Sequence, residues 1–141
     1  MKDNISFHFQ KNIDLKNRTA LKVFLAKMAR LHKKDIEDLS VVFCSDQYLL
    51  KINKLYLNHH YFTDIITFDY SERKGKLNGE LFISIDRVKD NASEFGKTIK
   101  NELHRVIFHG VLHLLGFNDK KPSEKKKIRL QEDQWLSMYF K

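Results

Sequence analysis

The sequence predicts an α/β fold: a four-stranded mixed sheet packed with about five helices. Three observations lead there. β-Branched and aromatic residues gather in short runs with strand-like alternation. Stretches with apolar residues at helical spacing lie between the early runs and after the later ones. Two of the runs then follow each other with only a short basic turn between them, which suits a mixed sheet rather than a doubly wound one.

Ile5, Phe7 and Phe9 alternate with Ser6, His8 and Gln10, the pattern of a short half-buried strand. Asn12-Ile13-Asp14 reads as a turn. Leu15 to His32 then carries Leu21, Phe24, Leu25, Met28 and Leu31 at helical spacing, with His8 and His32 as surface residues. Leu39 to Cys44 is a more buried strand, and Ser45 offers an N-cap for a helix over Gln47 to Leu57. Asn58 to Phe62 is a loop with a histidine pair, His59-His60. Thr63 to Tyr70 and Asn78 to Ile85 read as two strands of an antiparallel hairpin, with Gly75 at the turn. Asp86 is expected to cap a helix to about Phe95, and Gly96 breaks it. Thr98 caps a strongly apolar helix that ends near Leu115. After Lys120-Lys121-Pro122, Ser123 is expected to cap a last helix to about Tyr139, with Trp135 and Tyr139 facing the core.

The 141 residues make one domain, 1–141, large enough to bury a core without disulfides. The single cysteine, Cys44, sits in an apolar run and reads as a buried inert thiol in a reducing compartment. Met1 to Asn4 lacks the apolar core of a signal peptide, and no stretch approaches the roughly 20 apolar residues of a membrane span. A soluble cytoplasmic protein with no membrane partner is expected. The formal net charge of +8 favours polyanions, of which nucleic acid is the commonest in cytosol.

The chemistry concentrates in His109-Gly110-Val111-Leu112-His113-Leu114-Leu115-Gly116-Phe117-Asn118-Asp119. Histidines four apart on a helix lie about 40° apart around the axis, so both rings face one way and can reach one metal. Gly116 can take the left-handed conformation that ends a helix, letting the chain return Asp119 towards the two rings. Two imidazoles and a carboxylate leave positions open for water, as in a catalytic centre. His109, His113 and Asp119 are therefore the predicted ligands of one metal ion per chain, with Zn2+ the expected cofactor. His109 and His113 are the catalytic residues, acting through the metal-bound water, and no independent general base is identified. His104, five residues before His109 and about 140° away, faces elsewhere.

This stretch resembles the signature HGxLHLxGYDH of the YbeY family of bacterial rRNA maturation factors, which are single-strand endoribonucleases. The match runs through Phe117, and Asp119 stands where the family has its third histidine. Thr63 to Phe68 resembles the family's TDVLSF and Gly79 to Ser84 its GDIxIS, in the same order. The resemblance implies a four-stranded mixed sheet in an architecture like zinc metalloproteases. It also implies a metal-dependent single-strand-specific endoribonuclease acting in rRNA maturation, at the 16S rRNA 3′ end, and in ribosome quality control. Single-stranded RNA, rRNA and the small ribosomal subunit are then the partners, and DNA is not expected. Leu57 stands where the family carries an arginine, a departure that Lys54, His59 or His60 would have to offset.

A zinc peptidase would carry a glutamate as general base after the first histidine, where this chain has Gly110. Metal-assisted phosphodiester hydrolysis needs no such glutamate, and the positive charge suits a phosphate substrate. The run Lys120, Lys121, Lys125, Lys126, Lys127 and Arg129 follows the motif directly. Lys120, Lys121 and Lys125 are the expected RNA contacts. Tyr61, Phe62 and Phe117 are available for stacking on bases, and for Phe117 packing after the helix stop is the alternative. Asp64 and Asp69 could approach the site from the sheet. A non-catalytic RNA-binding assembly factor and a zinc peptidase-like hydrolase are the alternative functions.

Overall fold

The computed structural model describes residues 4–141, so the polar start Met1 to Asp3 lies outside the described residues. The elements run β1 (Ile5–Phe9), α1 (Arg18–Leu31), β2 (Asp35–Cys44), α2 (Asp46–Leu57), β3 (Ile65–Asp69), β4 (Lys76–Ser84), α3 (Ile85–Glu94), α4 (Ile99–Leu114) and α5 (Pro122–Tyr139). The sheet order is β1-β2-β4-β3. β1, β2 and β4 are parallel, and β3 runs antiparallel to β4 at the edge, so the mixed sheet and the hairpin are both present.

β3 is shorter than the expected Thr63 to Tyr70, and β4 begins and ends ahead of the expected Asn78 to Ile85. Four other boundaries differ from the expectations, each for a local reason. α1 starts at Arg18 behind a left-handed Asn17, because the apolar Leu15 is buried ahead of the helix rather than within it. β2 starts at Asp35. The polar residues Asp35, Glu37 and Asp38 mask its first half in the sequence, although Ile36 is buried. Ser84, not Asp86, caps α3, its hydroxyl accepting from the Arg87 N–H at 3.1 Å. Asp86 sits in the first turn, where its carboxylate accepts from the Asp46 N–H at 2.8 Å and pairs with Lys11. Lys121, not Ser123, is the N-cap of α5, because Pro122 takes the first helical position, where its missing N–H costs nothing. The Glu124 carboxylate accepts from the Lys121 N–H at 2.9 Å.

The sheet is covered on two faces. Leu77, Leu81 and Ile83 of β4 enter the main core with Leu103, Val106, Ile107, Val111 and Leu112 of α4, and Ile128 and Trp135 of α5 close it. On the other face Cys44, Leu49, Ile52 and Ile66 form a smaller cluster with Phe68 and Phe82, beneath α2. Burial, with Asp46 and Asp86 adding to it, pushes the Cys44 thiol up to about 12, as an inert core cysteine requires.

α4 packs against β3, β4, α3 and α5. Gly110 sets how closely it approaches the sheet. A Cβ there would lie 2.7 Å from Ile65 Cδ1 and 2.8 Å from Leu81 Cδ1. Gly79 does the same from the strand side, where a Cβ would meet Leu114 at 2.8 Å. Each glycine thus makes room for apolar side chains of the other element, and this sets how close the histidine face lies to β3.

Candidate metal centre

α4 ends in a turn built by Gly116, whose φ is +105°, a conformation that favours glycine. The Gly116 N–H donates to the His113 carbonyl at 3.0 Å and the Phe117 N–H to the Leu112 carbonyl at 3.0 Å, the paired bonds of a Schellman motif. Phe117 then packs on the main core beside His32, with ring centroids 5.7 Å apart, which anchors the returning chain. Asp119 is delivered opposite the helix face that carries the two histidines.

The structure brings His109, His113 and Asp119 together. His109 Nε2 is 3.0 Å from His113 Nε2 and 3.3 Å from Asp119 Oδ2, and His113 Nε2 is 3.2 Å from the same oxygen. Ligand atoms around a tetrahedral zinc with bonds of about 2.0–2.2 Å stand roughly 3.3 Å or slightly more apart. The triangle therefore fits a single small cation of that kind. All three side chains are half-buried, and one side of the triangle opens on a cleft of about 600 Å³. The donor set, two imidazole nitrogens and a carboxylate oxygen, suits such an ion as well as its spacing does.

The cleft is floored by β3 and the loop before it. Thr63, Asp64, Ile65, Thr67 and Asp69 line it, as do Leu57 at the end of α2, His59, Tyr61 and Lys120. Asp64 and Asp69 thus do approach from the sheet. Burial pushes the Asp64 carboxyl above its ordinary value, against the opposing pull of Arg105 and His109. Leu57 reaches the cleft, whereas Lys54 lies in a separate groove with Gln47, Leu50, Lys51 and Leu55. The expected aromatic residues divide. The Tyr61 ring stacks on His59 with centroids 5.1 Å apart and faces the cleft. Phe62 is covered by the Arg87 guanidinium at 4.8 Å, and Phe117 is taken by core packing. Lys121, Lys125, Lys126, Lys127 and Arg129 are all exposed along the start of α5. His104 is buried against Tyr139 and Phe140, away from the cleft, as its angle predicts.

Sequence reading missed the charged layer behind His109. Glu132 of α5 is 1% exposed and its Oε2 lies 2.5 Å from His109 Nδ1. Its Oε1 accepts from Arg105 Nη1 at 2.8 Å, and Arg105 donates on its other edge to Glu102 at 2.9 and 2.5 Å. Burial opposes the charge on Glu132, but His109 and Arg105 outweigh it and hold the carboxyl below its ordinary value. The signal was in the spacing. Arg105 is four residues before His109 and Glu102 three before that, on the same helix face. Glu132 falls on the buried stripe of Ile128, Trp135 and Leu136.

Imidazole and carboxylate groups able to hold a metal converge on an open cleft, carried by a helix laid on a mixed sheet, an arrangement that suits a metal-dependent hydrolase. The chain belongs to the YbeY family: the family model described as Endoribonuclease YbeY matches residues 3–139. Among curated relatives, Endoribonuclease YbeY of Cytophaga hutchinsonii is 49% identical over 140 residues, covering 98% of each chain. Endoribonuclease YbeY of Bacteroides thetaiotaomicron is 43% identical over 125 residues, covering 89% of this chain and 90% of its own. The solution structure of TM1509 from Thermotoga maritima superposes with a TM-score of 0.66 at 22% identity, over 99% of this chain and 89% of that one, a likeness of fold.

Proposed function

We propose that residues 1–141 form a single metal-dependent hydrolase domain, an endoribonuclease that cleaves single-stranded RNA in rRNA maturation, with one zinc held by His109, His113 and Asp119. The convergence of those three ligand atoms at 3.0–3.3 Å beside an open cleft carries the reading, in a chain whose relatives are called Endoribonuclease YbeY. When bound, the metal supplies a Lewis acid for the phosphoryl oxygens and an activated water. The chain's own residues do the rest. His109 and His113 present their Nε2 atoms from rigid helix, and Asp119 presents Oδ2 from the Schellman turn. The exposed Lys120, Lys121 and Lys125 run from the lip of the cleft along α5 and supply the cations that a phosphate backbone requires. Tyr61 offers a ring for base stacking.

The ribosomal small subunit and its rRNA are the partners this reading implies, with the cytoplasm as the compartment. Among the described residues no helix is long and apolar enough to cross a membrane. Peptidase chemistry finds no support in the geometry. Position 110, where a peptidase glutamate would stand, is buried with no room for a side chain between it and Ile65 and Leu81 of the sheet.

Elemental analysis of protein purified without a histidine tag tests the ligand set. One zinc per chain is expected in the wild type and almost none in a His109→Ala/His113→Ala variant. Equal metal in both would remove these residues from the centre.

A further inference from the structure

A buried carboxylate is costly unless its oxygens are paired, and Glu132 is paired in two directions. The guanidinium of Arg105 has only protons to offer, so Oε1 of Glu132 is held as an acceptor and the carboxylate cannot exchange its oxygens without breaking that 2.8 Å bond. The bidentate grip of Glu102 holds Arg105 in turn. Oε2 is therefore fixed where it meets Nδ1 of His109, at 2.5 Å. A carboxylate only accepts, so in the neutral ring Nδ1 carries the proton. The lone pair then sits on Nε2, the nitrogen that faces His113 and Asp119. His113 has no carboxylate behind its ring among the described residues; its polar contacts are to His109 and Asp119.

We propose that Glu132 is a positioning residue of the metal centre, braced by Arg105 and Glu102, and that it sets the tautomer and orientation of His109 before any metal arrives. The proposal rests on His109 being a ligand and adds that the two histidines are unequal: His109 is pre-set by the protein and His113 is not. Carboxylates behind ligating histidines commonly act this way, fixing the ring and raising its basicity.

The isosteric variant Glu132→Gln makes a sharp test because Arg105 decides which way the amide turns. The guanidinium takes the amide oxygen, leaving the NH2 group facing His109. Nδ1 must then accept, the proton moves to Nε2, and the lone pair is turned away from the centre. Two measurements read this. Nitrogen NMR of the metal-free protein should show the neutral His109 ring protonated on Nδ1 in the wild type and on Nε2 in Glu132→Gln. Competition with a chelator should show zinc held about 10–100-fold more weakly by the variant, while its metal-free melting temperature stays close to wild type. Wild-type His109 protonated on Nε2 would overturn the proposal, even if the variant does not fold. Equal zinc affinity in a folded variant would overturn it as well. A wild type that binds no zinc at all would instead sink the metal reading beneath it, so the two failures are distinguishable.

Discussion

At the scale of single residues, the seven histidines of this chain divide by what surrounds them rather than by type. His109 and His113 are half-buried with their Nε2 atoms converging, whereas His104, five residues earlier on the same helix, is 3% exposed and belongs to the core. Its Nδ1 faces the Lys100 carbonyl at 2.7 Å and its ring stacks on Tyr139 with centroids 5.4 Å apart. Burial, helped by the Lys100 charge, holds the ring below its ordinary value near 6.5, outweighing the hydrogen bond to the carbonyl. The unfolded chain therefore takes up a proton that the folded chain resists. The stability His104 contributes is full above that ordinary value and is lost as the pH falls through the lower folded value. Melting temperature measured from neutral pH down to about 5 should fall more for the wild type than for His104→Phe. Parallel losses in the two proteins would show that His104 is not the residue responsible. The angular argument that set His104 apart was legible from helix geometry alone. The buried Glu132 was not read, because a carboxylate on an apolar stripe shows its partner only once α5 is seen lying across α4.

Among the elements, α4 carries most of the site, and its placement depends on residues that have no chemistry of their own. Gly110 was legible only as the absence of a peptidase base. Its positive role, contact with Ile65 and Leu81, needs the sheet to be in view. Gly110→Ala is expected to cost about 1–3 kcal/mol in overpacking against these apolar side chains, more than the roughly 1 kcal/mol that alanine returns as helix propensity. Lifting the helix would also move both histidines away from Asp119, so zinc affinity should fall together with the denaturation midpoint. A variant as stable as wild type, with unchanged zinc binding, would mean that the contact is slack. Gly116 behaved as expected, because a glycine just past a run of helical apolar residues has one common use, and the paired bonds to His113 and Leu112 are that use. The start of α5 was misread for an equally local reason: Pro122 and Ser123 both signal a helix start, and the proline occupies the first helical position ahead of the serine.

On the scale of the whole molecule, strand order is what assembles the site. The sequence pattern shows four strands and a hairpin, but not that β4 inserts between β2 and β3. That insertion leaves β3 on the edge, where Asp64, Thr67 and Asp69 line the cleft beneath the histidines. The carboxylates of Asp64, Asp69 and Asp119 make the bare cleft acidic, while exposed lysines gather from its lip along α5 and the chain as a whole carries +8. Cation in the cleft and phosphate along the lysines is the arrangement that these charges favour. Leu57 at the cleft wall offers no charge to share the phosphoryl load, so slow turnover is expected. The most direct measurement is cleavage of a defined single-stranded RNA by protein stripped with a chelator, with zinc, manganese or magnesium then returned in turn. Cleavage that is absent from stripped protein, restored by metal, and absent from His109→Ala/His113→Ala under every condition is the predicted result. Failure of the wild type to cut any single-stranded RNA with any of the three metals would contradict the nuclease and leave an RNA-binding assembly factor in its place.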